Sequence, residues 1–129
     1  MKAMVIGYGS IGARHSRILS ELDCQVSVIS SRVVEFPITY TNLIEGIAAE
    51  QPEYVVISNA TNKHRETLSL LAQLDYKGTV LIEKPVFDKY LEVPANDFRE
   101  VFVAYNLRFH PVIQHLKELL AAEEILSVQ

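Results

Sequence analysis

Gly7-Tyr8-Gly9-Ser10-Ile11-Gly12 decides the fold, because of what flanks it. The apolar run Met4-Val5-Ile6 precedes it, and the helix-like run Ile11 to Leu22 follows. Strand, glycine turn and helix form the context in which G-x-G-x-x-G predicts dinucleotide binding. Gly7 permits the tight turn, Gly9 has no side chain to block a pyrophosphate, and Gly12 lets helix and strand pack closely. The N–H groups and the positive dipole end of the helix then face the phosphates. Tyr8, Ser10 and Ile11 enter the candidate cofactor set as the other members of this loop.

Outward from the motif, strand-like and helix-like segments alternate. Residues 2–6 and 25–30 read as the first two strands, with Ile11, Ile18, Leu19 and Leu22 as the apolar stripe of the intervening helix. Residues 31–40 are irregular and contain Pro37. Leu43, Ile44, Ile47 and Ala48 fit a short helix capped by Thr41 or Asn42. Residues 53–58 form an apolar run suited to a strand covered on both faces. A helix is expected over 62–74, with Thr67, Leu68, Leu71 and Leu74 inward and Gly78 as its breaker. Residues 80–83 and 101–105 read as further strands, and 111–124 as a last helix with Pro111 in its first turn. This alternation implies right-handed crossovers and an α/β, Rossmann-type, doubly wound parallel sheet with helices on both faces. Ligands of such sheets bind at the carboxyl ends of the strands.

Composition bounds the function. The chain has 129 residues, of which 49% are apolar, so one domain with a real core is expected. The apolar runs are short and broken, which argues against a membrane span. A net charge of −4 argues against a nucleic-acid partner. Cys24 is the only cysteine and the amino terminus lacks a signal-peptide pattern, which together suit the cytoplasm. Cys24 itself reads as a small apolar filler. No histidine has a partner at metal-ligand spacing, so no metal site is expected.

The second strand ends Ile29-Ser30-Ser31-Arg32. NAD-binding folds commonly place a carboxylate there, about 20 residues past the glycines, to hold the ribose hydroxyls. Two hydroxyls and a guanidinium suit a 2′-phosphate instead. NADP is therefore expected, with NAD as the alternative, since Glu35 could approach the ribose from the loop.

Four motifs in order then carry a resemblance. They are Gly7 to His15; Ser58-Asn59-Ala60-Thr61-Asn62-Lys63-His64; Glu83-Lys84-Pro85; and Tyr105-Asn106-Leu107-Arg108-Phe109-His110-Pro111. Over nearly its whole length the chain resembles the N-terminal half of the glucose-fructose oxidoreductase/inositol dehydrogenase (Gfo/Idh/MocA-like) family of NAD(P)-dependent oxidoreductases. Ala60 stands where the family's second motif usually has proline, which loosens that loop.

The resemblance implies hydride transfer between a nicotinamide and a sugar, cyclitol or related polyol carbonyl. It implies that Lys84 is catalytic, holding the substrate hydroxyl and helping to move its proton, tuned by burial among apolar neighbours. Glu83 is then an ion-pair partner or a ribose ligand, and Pro85 fixes the turn, with a cis bond as one option. Asn59, Ala60, Thr61, Asn62, His64 and Asn106 border the cofactor. Thr61 or Asn62 could equally cap the following helix, and His64 could be a structural hydrogen-bonder. Arg108 holds a polar or anionic substrate through its donor fork, or makes an ion pair. Arg14 could help neutralise a phosphate, His15 packs under the glycine loop, and Tyr105 packs in the core.

The resemblance also implies a second, substrate-binding domain. Residues 1–123 are read as the cofactor domain, and 124–129 as the start of the next, with a short closing strand as the alternative. Without that domain the chain is expected to turn over poorly, and its uncovered interface to favour homo-oligomers. A Rossmann-type NAD(P)H sensor without turnover, and a Rossmann scaffold that binds no dinucleotide, are the other classes.

Overall fold

Alternation in the first strand sets up two cores. The computed structural model describes residues 1–120. In β1 (Lys2–Ile6) Met4 and Ile6 face one side, Ala3 and Val5 the other. The first side packs with Ile29, Val55, Ile57, Val80 and Ile82 under Leu68 and Leu71. The second packs with Val26, Val56 and Leu19. Such apolar strands, covered on both faces, are the signature of a buried parallel sheet. Burial of each Val, Leu or Ile stabilises by about 1.5–3 kcal/mol.

The chain continues through α1 (Ser10–Glu21), β2 (Gln25–Ile29), β3 (Thr39–Tyr40), α2 (Leu43–Glu50), β4 (Tyr54–Ile57), α3 (His64–Gln73), β5 (Thr79–Ile82), β6 (Glu100–Val103) and α4 (Pro111–Leu119). Short 3₁₀ turns, Thr61–Lys63 and Asn106–Phe109, precede α3 and α4. The sheet order is β3-β2-β1-β4-β5-β6, and every pairing is parallel. The order reverses between β1 and β4, so a crevice opens at the carboxyl ends of those two strands.

Several boundaries differ from the sequence reading. The irregular stretch after β2 contains β3, whose two residues pair with Val28 and Ile29 and are too short to show any periodicity. The buried face of α1 is Gly12, Ser16 and Leu19, whereas Ile11, Ile18 and Leu22 are exposed. Close helix–sheet approach explains this, because a Cβ on Gly12 would collide with the Gly7 carbonyl. Ser16 is buried in turn, with its hydroxyl donating to the Gly12 carbonyl at 2.9 Å. Asn42 rather than Thr41 caps α2, accepting from the Ile44 amide at 2.8 Å. Neither Thr61 nor Asn62 caps α3 through its side chain. That helix ends at Gln73, within a residue of the expected 74, and its terminator is not Gly78: Asp75 takes a left-handed conformation (φ 56°), and the Tyr76 amide donates back to Leu71 O at 3.1 Å. Pro111 opens α4 as expected, and the His110 ring accepts from the Val112 amide. The proposed extension of α4 past Leu120, the domain boundary at 123 and the strand beginning at 124 lie outside the described residues.

Candidate functional site

The glycine loop is built as its sequence requires. Gly7 has φ +93°, a conformation that side chains resist, and its amide donates to Ile29 O at 2.9 Å. A Cβ there would also strike the Asn59 backbone, so the loop passes close against the end of β4. Ser58 reinforces that contact by donating to the Gly7 carbonyl at 3.0 Å. Gly9 is different: a Cβ there would meet nothing within 4 Å. It faces open space at the start of α1, where no side chain caps the helix and no acidic residue sits in the first turn. Uncapped amides, the positive dipole end and an empty cradle over Gly9 fit a pyrophosphate.

A cleft of about 560 Å³ extends from this cradle. The structure brings Gly7, Tyr8, Gly9, Ser10, Ile11, Ser30, Ser31, Arg32, Asn59 and Ala60 together along it. Ile6, Ile29, Thr41 and Ser58, which the sequence reading did not place in the cofactor set, also line it. Gly12 lies buried beneath. Ser30 forms part of the wall, but its hydroxyl is taken: it donates to Arg32 O at 2.9 Å and accepts from Arg32 N at 3.1 Å. Ser31 and Arg32 remain exposed donors at this end, held on a turn that Ser30 closes. Glu35 is exposed and is not part of the cleft wall. Asn59 donates to Thr67 Oγ1 at 2.9 Å, while its side-chain oxygen is buried without a hydrogen-bond partner. Phe36 stacks at a tilt on Tyr8, 5.7 Å between centroids, closing the loop side.

A second groove, about 570 Å³ and largely apolar, lies on the other side of Ile11, which lines both. It gathers Glu83, Lys84, Asn106 and Arg108 with Leu81, Phe102 and Tyr105. Arg14 and His15 face this groove and not the first cleft. His15 does more than pack: its Nε2–H donates to Glu83 Oε1 at 2.7 Å, with both side chains largely buried (22% and 19% exposed). Glu83 thus has a hydrogen-bond partner in His15. The Lys84–Pro85 peptide bond is cis. Lys84 is exposed, so the expected burial among apolar neighbours is not present in this chain. Tyr105 is likewise exposed (56%) and lines the groove instead of packing in the core. Cys24 is partly buried against the second core cluster.

Besides the buried Gly12, three of the candidate cofactor residues line neither cavity. Thr61 is half-buried in the 3₁₀ turn, and Asn62 is exposed and borders a separate surface groove near Arg65. His64 is 1% exposed, beneath the loops. Its ring reaches only backbone: Nδ1 lies 3.0 Å from Val86 O and Nε2 3.1 Å from Asn59 O. Neither this arrangement nor the His15–Glu83 pair, 68 residues apart in sequence, leaves any signal in residue spacing. Among the described residues, no group of His, Cys, Asp and Glu side chains could hold a metal ion, and no helix is long and apolar enough to cross a membrane.

No family model matches the chain, and no curated protein matches it. Solved structures do. The WlbA dehydrogenase from Chromobacterium violaceum, in complex with NADH and UDP-GlcNAcA, superposes with a TM-score of 0.81 at 17% identity over 94% of this chain and 39% of its own. Myo-inositol 2-dehydrogenase from Lactobacillus plantarum gives 0.76 at 19% identity, over 94% and 41%. RSP, a Rex-family repressor, gives 0.66 at 11% identity, over 93% and 59%. The chain thus spans about two fifths of the length of these two dehydrogenases and has the fold of their N-terminal Rossmann domains.

Proposed function

We propose that this chain is the cofactor-binding part of an NAD(P)-dependent oxidoreductase of the glucose-fructose oxidoreductase/inositol dehydrogenase family. The observation that carries this is the pairing of two cavities across Ile11: a nucleotide cleft with an empty cradle over Gly9, and a groove that presents Lys84. The four motifs in sequence and the fold of the dehydrogenases above support the same reading.

The adenosine end of the dinucleotide would lie along Ser31 and Arg32, its pyrophosphate on the first turn of α1, and its nicotinamide end toward Asn59, Asn106 and Lys84. When bound, the cofactor supplies the hydride acceptor or donor. Lys84 holds the reacting oxygen of the substrate and moves its proton. Arg108, which lines the groove, holds a polar or anionic part of the substrate through its donor fork. The substrate is a sugar, cyclitol or related polyol, and the UDP-GlcNAcA bound by a WlbA enzyme of this fold supports a sugar-like one. The remainder of its pocket comes from a second domain, so chemistry needs more chain than this. NADP is the preferred cofactor, because Arg32 can pair with a 2′-phosphate and no carboxylate at the end of β2 repels it.

The fold shared with a Rex-family repressor favours one other reading, an NAD(P)H-binding sensor without turnover. Lys84 in the groove speaks against it, because a sensor needs no proton-transferring side chain there. Titrating the chain with NADPH and with NADH, followed by nicotinamide fluorescence, tests the proposal. Tighter binding of NADPH, lost on Arg32→Asp, supports the cofactor assignment. Equal or tighter NADH binding overturns the NADP preference but keeps the site. Failure to bind either overturns the reading of the cleft.

A further inference from the structure

His64 is a buried ionisable side chain that the proposed chemistry leaves without a task. At 1% exposure it is shut off from solvent, and it lines neither of the two cavities. A polar ring so deeply placed is disfavoured unless its nitrogens are satisfied. Here both nitrogens meet carbonyl oxygens, and the two carbonyls belong to separate functional segments. Asn59 O is on the loop that walls the nucleotide cleft. Val86 O is on the turn two residues beyond Lys84.

The Lys84 turn is held at its other end as well. The Glu83 amide donates to Ile57 O at 2.9 Å, and the Glu83 carboxylate is gripped by His15. The Val86 end has no strand partner; its side chain packs against the core and its carbonyl faces His64. Lys84 itself is exposed, so its location depends on how the backbone on either side is fixed.

We infer that His64 is a positioning residue: its Nδ1–H donates to the Val86 carbonyl and sets the Lys84 turn against the nucleotide loop. This rests on the reading of Lys84 as the proton-transferring group, since only then does its place matter to chemistry. A neutral ring carries one N–H and can donate to one of the two carbonyls; a doubly protonated ring donates to both. In either form that carries hydrogen on Nδ1, the tie to Val86 stands. The form with hydrogen on Nε2 alone would tie the ring to Asn59 and leave the Lys84 turn unheld.

Two measurements without any dinucleotide test this. The first is a long-range ¹H–¹⁵N spectrum of the imidazoles in the folded wild-type chain. Hydrogen on Nδ1 of His64 is expected, and hydrogen on Nε2 alone overturns the proposal. The second is the backbone order parameter of the Lys84 and Val86 amides in His64→Phe, which fills the space without a donor, and in His64→Gln, which keeps one. Wild type should read about 0.85, the rigid value, and His64→Phe below about 0.6, the flexible one, with His64→Gln between them. An unchanged value in a folded His64→Phe overturns the proposal, as does an equal loss in both variants, which would assign the effect to ring volume. If the variants do not fold, the wild-type ring spectrum still decides. Because neither readout uses NADPH, failure of dinucleotide binding sinks the proposed function and leaves this test intact.

Discussion

Replacing Gly9 by valine separates binding from folding. The backbone at Gly9 is extended (φ −84°, ψ −168°), a conformation any residue adopts, and an added Cβ meets nothing within 4 Å. The substitution should therefore shift stability by no more than about 1 kcal/mol, the scale of an N-cap exchange. The open space is where a pyrophosphate must come to reach the first amides of α1. A valine side chain there would hold the phosphates away from at least two of them. Hydrogen bonds to charged groups contribute about 1.5–3 kcal/mol each. Losing two removes about 3 kcal/mol or more, a weakening of about 100-fold at 1.4 kcal/mol per tenfold. Gly12→Ala is the contrasting control, since its Cβ would collide with the Gly7 carbonyl and come within 2.9 Å of Ser58 Oγ. That variant should be destabilised by about 1–3 kcal/mol whether or not ligand is present. Urea unfolding together with NADPH titration by fluorescence reads both quantities. Binding by Gly9→Val within threefold of wild type would refute the placement of the phosphates.

Leu68→Ala should destabilise the chain by about 2–5 kcal/mol in urea unfolding, because Leu68 is fully buried at the centre of the α3 face. Asn42→Ala should cost about 1 kcal/mol by the same assay, through loss of the cap on α2. Ser16→Leu, which would improve α1 if an apolar stripe faced the sheet, should instead destabilise by about 1–3 kcal/mol, since Ser16 is 1% exposed under the close contact at Gly12. Arg32→Asp should lower NADPH affinity more than NADH affinity, measured as the ratio of the two dissociation constants.

The parts legible in sequence were those set by local chemistry. The glycine loop, the apolar strands and the Pro111 start of α4 each follow from what a few adjacent residues can adopt. The failures share a cause as well. The stripe on α1 was misread because the demand for small residues comes from the Gly7 carbonyl across the helix–sheet contact. The end of α3 near residue 74 was legible, but its terminator was not: Asp75 takes the left-handed conformation that glycine usually fills, stabilised by the backbone bond from Tyr76 to Leu71. A two-residue strand such as β3 has no period to detect.

The candidate site divides along the same line. The loop residues gather in one cleft because the topology puts the ends of β1, β2 and β4 side by side. The pairing of His15 with Glu83 and the burial of His64 depend on distant segments meeting, whereas the Ser30 hydroxyl is taken by a local turn with Arg32. Sequence leaves His64 either beside the cofactor or as a structural hydrogen-bonder; the structure buries it beneath the loops that form the cleft, bonded to their backbone.

The central claim is that a nicotinamide dinucleotide lies across the glycine loop, with its reactive end toward Lys84. A ¹H–¹⁵N spectrum of the chain titrated with NADPH tests it most directly. Saturable shifts are predicted at Gly9, Ser10 and Ile11 on the loop, at Arg32 on one side, and at Asn59 and Lys84 on the other. Saturable shifts that leave the amides of Gly9 to Ile11 unmoved, or no shifts at all, would contradict the account.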